Sequence, residues 1–336
     1  MSCLRNSFSE AALSLSDVVQ IVLSIFGLFG IGYVLARSSY LSDSVGDGLA
    51  EFVFNVAIPV LLFKTLAQAD FHGASPWGLW LGYFGGVAVV WGLSHRMIRS
   101  VFGRGARAGV VAGVSASFAN TVLVGIPLVQ SAFGEAGLVS ILIIISINMP
   151  VMMFASIVAN EWAMRADGLE TSRLDRRQLA ARFGTGLISN PIIVGIAIGA
   201  LWRLMDWSVS GVAATLIDSL SSVAGPTALL AAGMGLARYG ISGNIRPALL
   251  ITFLKLIVMP AIVLAIGLAV SLPPLAVAAA TMTAACPTGV NAFLIANRFG
   301  TGQALASNSM TISTAIAVVV TAGWLVFLAQ IGVVPG

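Results

Sequence analysis

Apolar residues run through this chain in blocks of about twenty, separated by short polar connections. A helix needs about 20 mostly apolar residues to cross a bilayer. Ten such blocks can be read, near 17–36, 48–68, 76–95, 108–133, 137–160, 181–202, 212–236, 246–270, 274–298 and 301–330. The longest polar connection, Arg165 to Arg177, falls near the middle, and the others are short turns rich in Gly, Ser and Asp. The pattern predicts an all-α polytopic membrane protein of ten transmembrane helices.

Composition agrees with the pattern. The 336 residues are 58% hydrophobic and 9% charged, against about 25% charged in soluble domains. The basic residues punctuate the connections rather than forming a patch. With the N-terminus outside, 13 of the 17 Lys and Arg residues fall on the cytoplasmic side. These are Arg37, four from Arg96 to Arg107, five from Arg165 to Arg182, then Arg238, Arg246 and Arg298. Only Arg5 and Arg203 fall outside, so the positive-inside rule predicts both termini outside. The same distribution argues against nucleic acid as a partner. Cys3 and Cys286 show no metal spacing. Residues 1–16 lack an apolar core with a cleavage site, so the first span is expected to direct insertion itself.

Weak internal similarity recurs at one nearly constant shift. Val56-Ala57-Ile58-Pro59 returns as Val223-Ala224-Gly225-Pro226, and Gly30-Ile31 as Gly195-Ile196. Ala119 to Gly134 aligns without gaps on Ala285 to Gly300. Two five-helix repeats follow, 1–165 and 181–336, joined by a cytoplasmic loop at 166–180. Five is odd, so the second repeat enters from the opposite side and the repeats are inverted.

Within the fourth block stand Asn120, Thr121, Gly125, Ile126 and Pro127, and at the repeat-related place in the ninth stand Pro287, Thr288, Gly289 and Asn291. Proline removes a backbone donor and glycine loosens the chain. Unpaired backbone in hydrocarbon costs several kcal/mol, so such breaks survive only where protein or a water-lined cavity supplies partners. Helix N-termini there would suit an anion, and C-terminal carbonyls a cation or hydroxyl donor. The alternative is two proline-kinked structural helices whose Asn and Thr bond to neighbouring backbone. Spans 5 and 10 add Asn148 and Asn308 as cavity-facing candidates, among small and hydroxyl residues that could equally be interhelical glue.

Lys64, four residues from the end of span 2, is expected to snorkel to the interface. A lysine at the centre, the question for Lys255, would cost about 2.5–3.5 kcal/mol and suggest an anion partner. Glu51 and Asp218 are expected at the surface at the starts of spans 2 and 7. No carboxylate falls clearly at mid-membrane and no nucleotide-binding loop is present, which argues against a carboxylate proton relay and against ATP as a cofactor. Neither His72 nor His95 has partners for metal or hydrolytic chemistry. No cofactor, catalytic residue or metal ligand is expected.

The motif Asn120-Thr121-x-x-x-Gly125-Ile126-Pro127-Leu128 resembles the signature of the auxin efflux carrier family, which includes plant PIN carriers and bacterial permeases. Phe133-Gly134, Pro59 and Pro287-Thr288-Gly289-Val290-Asn291 fit it as well. The resemblance implies a fold shared with bile-acid:sodium symporters. It further implies a scaffold of spans 1, 2, 6 and 7 and a transport domain of spans 3–5 and 8–10 moving as an elevator. One departure is Asn291-Ala292, where the plant carriers resembled place a second proline. Bacterial relatives imply a secondary transporter of malate- or malonate-like carboxylates in the inner membrane. Coupling to Na+ or H+ and homodimerisation are left open. A sodium-coupled organic anion symporter and a membrane ligand sensor are the alternatives.

Overall fold

A computed structural model describes residues 15–68, 76–169, 190–238, 241–243 and 245–334. The expectations for Cys3, Arg5, His72, the basic group Arg173 to Arg182 and the start of the sixth block lie outside the described residues. The helices are α1 Leu15–Arg37, α2 Asp43–Ala67, α3 Pro76–Phe102, α4 Ala106–Ser117, α5 Thr121–Ala166 and α6 Pro191–Leu204. They continue with α7 Gly211–Leu236, α8 Arg246–Ala269, α9 Pro274–Ala285, α10 Val290–Phe299 and α11 Gln303–Gln330. Among the described residues, seven helices are long and apolar enough to cross a membrane: α1, α2, α3, α5, α7, α8 and α11. Helices α6 and α9 are apolar but shorter.

Two of the ten apolar blocks are broken part-way along rather than forming one uninterrupted helix each. Block 108–133 splits at Phe118–Asn120, and block 274–298 splits at Cys286–Gly289. The far part of block 108–133 and the next block are both counted in α5, but the chain leaves the helical conformation between them at Gly134, where the expected blocks meet. That residue has φ 63° and ψ −159°, a conformation open essentially to glycine alone.

Prolines explain the other irregularities. Three helices widen into π turns, Val53–Ala57, Thr121–Gly125 and Leu254–Val258, each ending two residues before a proline: Pro59, Pro127 and Pro260. Proline offers no N–H to the carbonyl four residues back, and its ring crowds that carbonyl. The carbonyls concerned belong to Asn55, Leu123 and Leu256, the middle residue of each turn, and widening the helix there relieves the clash. The Leu256 carbonyl then accepts a bond from Trp324 Nε1 of α11 at 2.9 Å.

Small residues set the closest helix contacts, as expected where lipid supplies no hydrophobic drive between helices. A Cβ at Gly32 of α1 would fall 2.3 Å from the Leu230 carbonyl oxygen of α7. One at Gly199 of α6 would fall 2.7 Å from that of Phe63 in α2. One apolar core gathers residues of α3, α4, α5, α8, α9, α10 and α11 around Tyr83, Val111, Met259 and Ala284. Lys64 does not simply snorkel. It pairs at 2.9 Å with Asp218, which lies two turns inside α7 rather than at its start. Asp218 is nonetheless exposed, as expected, and its pairing with the partly exposed Lys64 lowers the cost of each charge.

Asp167 follows α5 and caps α4. Its carboxylate accepts from Ala106 N at 2.7 Å and Arg107 N at 3.0 Å. The α4 N-cap itself is Gly105, where a Cβ would crowd that carboxylate at 3.1 Å. Burial pushes the Asp167 carboxyl up. The N–H groups of Arg107 and Ala106, with the Arg99 and Arg107 charges, outweigh burial and hold it below its ordinary value. Arg107 in turn donates to the Phe299 carbonyl at the end of α10.

Candidate functional site

The two breaks meet. Phe118–Asn120 and Cys286–Gly289 run antiparallel, with Ala119 opposite Thr288 in a single bridge. Asn120 N donates to the Pro287 carbonyl and Gly289 N to the Phe118 carbonyl, both at 2.8 Å. A hydroxyl or amide supplies the other partners. Thr288 Oγ1 donates to the Ser115 carbonyl at 2.8 Å, and Ser313 Oγ of α11 accepts from Thr288 N at 3.0 Å. Asn120 Oδ1 caps the start of α5 by accepting from Leu123 N at 3.3 Å. Backbone groups freed by the breaks thus find protein partners, which a break at membrane depth requires.

Four half-helix ends converge there. α4 and α9 arrive with carbonyl ends, while α5 and α10 depart with N–H ends. Glycine permits the approach: a Cβ at Gly289 would stand 3.1 Å from the Ala119 carbonyl oxygen. Gly125 is packed by Ile141 and Cys286, where a Cβ would meet them at 3.1 and 3.4 Å.

The structure sorts the expected site residues. Asn120 and Asn291 are half-buried, so their side chains remain partly open at the crossing. With Oδ1 of Asn120 committed to its cap, no protein partner among the described residues takes its Nδ2 donors. Thr121, Gly125, Ile126 and Pro127 are buried and frame the crossing by packing. Pro287, Thr288 and Gly289 are buried and form its paired backbone. Asn148 of α5 is 3% exposed, and its Oδ1 has no hydrogen-bond partner among the described residues. Asn308 is tied to a distant connection. Its amide both donates to the Ser242 carbonyl at 2.8 Å and accepts from Ser242 N at 2.9 Å. It anchors the connection between α7 and α8 and is 1% exposed. The Ser115 carbonyl was not foreseen, because nothing in sequence marks a carbonyl that a distant threonine will use.

Two buried breaks that pair across each other, with helix ends and half-open amides around them, suit solute binding at membrane depth and not bond-making chemistry. Paired breaks of this kind are how membrane transporters build solute sites. Comparison with known proteins agrees: residues 17–325 match the family described as "Membrane transport protein". The chain belongs to that family, the auxin efflux carrier group. It is 25% identical over 331 residues to a Rhizobium meliloti protein named "Putative malonate transporter", covering 96% of this chain and 98% of that one. It is 26% identical over 314 residues to an "Uncharacterized transporter" of Methanothermobacter thermautotrophicus, covering 91% and 97%. A mouse "Lysosomal cholesterol signaling protein" is 23% identical over 261 residues, which is 74% of this chain and 30% of that protein.

Proposed function

We propose that this protein is a secondary transporter of small organic anions, of the malonate or malate kind, binding them at the crossing of the two breaks. The observation that carries this reading is the antiparallel pairing of Ala119 with Thr288, which directs two helix N-termini and two half-open asparagines at one place. N-terminal ends offer N–H donors and about half a positive charge each, which suits a carboxylate. The malonate in the Rhizobium relative's name is consistent with a small dicarboxylate.

The fold in this reading is ten spans in two inverted repeats, 1–165 and 181–336, placed in a bacterial inner membrane with both termini outside. Packing supports the repeat. Gly32 meets Leu230 as Gly199 meets Phe63, and the partners are 167 residues apart in both cases. Spans 1, 2, 6 and 7 are the scaffold, and spans 3–5 and 8–10 move past them as an elevator carrying the crossing. The test is flux of labelled malonate and malate into proteoliposomes, with choline replacing sodium and with or without a proton gradient. Asn120→Ala should abolish saturable uptake while inserting and purifying normally. Undiminished uptake by that variant would sink the site assignment.

A further inference from the structure

One ionisable group in the membrane-embedded core has no role in this account. Lys255 lies in the π turn Leu254–Val258 of α8 and is 0% exposed. Its ammonium donates to the carbonyl of Ala284, the penultimate residue of α9, and lies 3.5 Å from Met259 Sδ. Among the described residues, no carboxylate pairs with it; its titratable neighbour is the Cys286 thiol. An intramembrane cation without an anionic partner is a functional group by default, since membrane-embedded charge is kept only against a cost.

Its place gives the function. Each helix end carries about half a charge. At the crossing, two carbonyl ends (α4, α9) and two N–H ends (α5, α10) cancel to first order. In its protonated form, the Lys255 side chain on that one carbonyl end gives the crossing about one net positive charge. Carbonyl ends of broken helices are also where a coupling cation would be coordinated. The π turn that Pro260 imposes holds Lys255 in that position, covered by Met259.

We propose that Lys255 is a built-in cation of the carrier: it occupies the α9 carbonyl end, makes the crossing anion-selective, and removes the need for a bound sodium ion there. This rests on the organic-anion reading above. Lys255 is a positioning residue, acting through α9 and not by touching solute.

The experiment compares wild type with Lys255→Arg, Lys255→Met and Lys255→Gln. Each is purified in detergent, checked for a monodisperse profile, and reconstituted with sodium or choline as the only monovalent cation. Malonate binding is measured calorimetrically alongside labelled malonate flux. Wild type should give the same affinity and flux in sodium and choline. Lys255→Met and Lys255→Gln should lose malonate affinity at least tenfold, and sodium should restore part of it. Lys255→Arg should retain most of both. Two neutral variants are used so that misfolding of one leaves the other to decide. Monodisperse neutral variants with wild-type affinity and flux would overturn the proposal while leaving the organic-anion reading intact. So would wild-type uptake that strictly requires sodium. Flux of a neutral or cationic solute with no anion flux by wild type would overturn both.

Discussion

Gly289→Ala measures how tightly the two breaks are held together. The added methyl would stand 3.1 Å from the Ala119 carbonyl oxygen, and 3.3 Å from both its carbon and Asn120 N. All three are backbone atoms, so no side chain can turn aside. Overpacking of this kind costs about 1–3 kcal/mol. Separating the chains also lengthens the two 2.8 Å bonds, Asn120 N to Pro287 O and Gly289 N to Phe118 O, each worth about 1 kcal/mol net. The sum is about 2–4 kcal/mol, a fall of roughly 30- to 1,000-fold in the folded-to-unfolded ratio. Gly225→Ala is the matched control, because beyond its chain neighbours its Cβ would meet Pro127 at 3.9 Å, an ordinary contact. Thermal unfolding in detergent, followed by size exclusion, should show a midpoint several degrees lower for Gly289→Ala and little change for Gly225→Ala. Flux should fall in the first variant alone. Equal midpoints and equal flux in the two variants would refute the close crossing.

Two further outcomes follow from single contacts. Gly134→Ala meets open space but must hold φ 63° and ψ −159°, so it should lose about 1–3 kcal/mol from backbone strain alone, read as a lower unfolding midpoint. Asp167→Asn keeps the shape of the α4 cap and removes its charge. A carboxylate held below its ordinary value stabilises the fold above that ordinary value, near pH 4, and loses this as pH falls through the lower folded value. The variant should therefore be less stable than wild type at neutral pH and converge with it in acid; a difference that persists at low pH would show that the charge is not what stabilises.

The helices were legible because their length is dictated by the bilayer and their composition by its solvent, neither of which needs long-range information. The places where helices break were less so. In block 108–133 the proline pointed to a break, yet Pro127 sits inside α5, and the backbone leaves the helix earlier, at Phe118–Asn120. The cost of Pro127 is absorbed locally by the π turn Thr121–Gly125. Pro287, by contrast, stands in the break itself and uses its carbonyl there. Proline thus marks where a helix has lost a donor, but tertiary partners decide whether it widens or opens. Asn308 shows the same limit: its two bonds to Ser242 join residues 66 apart in the chain, and composition gives no hint of them.

Lys64 and Lys255 look alike in sequence, each a lone lysine in an apolar block five residues from a proline. The difference lies in which side of the proline each occupies. Lys64 follows Pro59, on the regular part of α2, close enough to the helix end to reach Asp218 of α7 while partly exposed. Lys255 precedes Pro260 and so falls within the widened turn that the proline forces. A residue in such a turn is displaced from the register of the flanking helix, and here that places the ammonium on the last turn of α9. The proline that disrupts α8 therefore also positions its charge. Moving the lysine one residue along the same helix would keep composition and hydropathy unchanged and would take the cation away from the crossing.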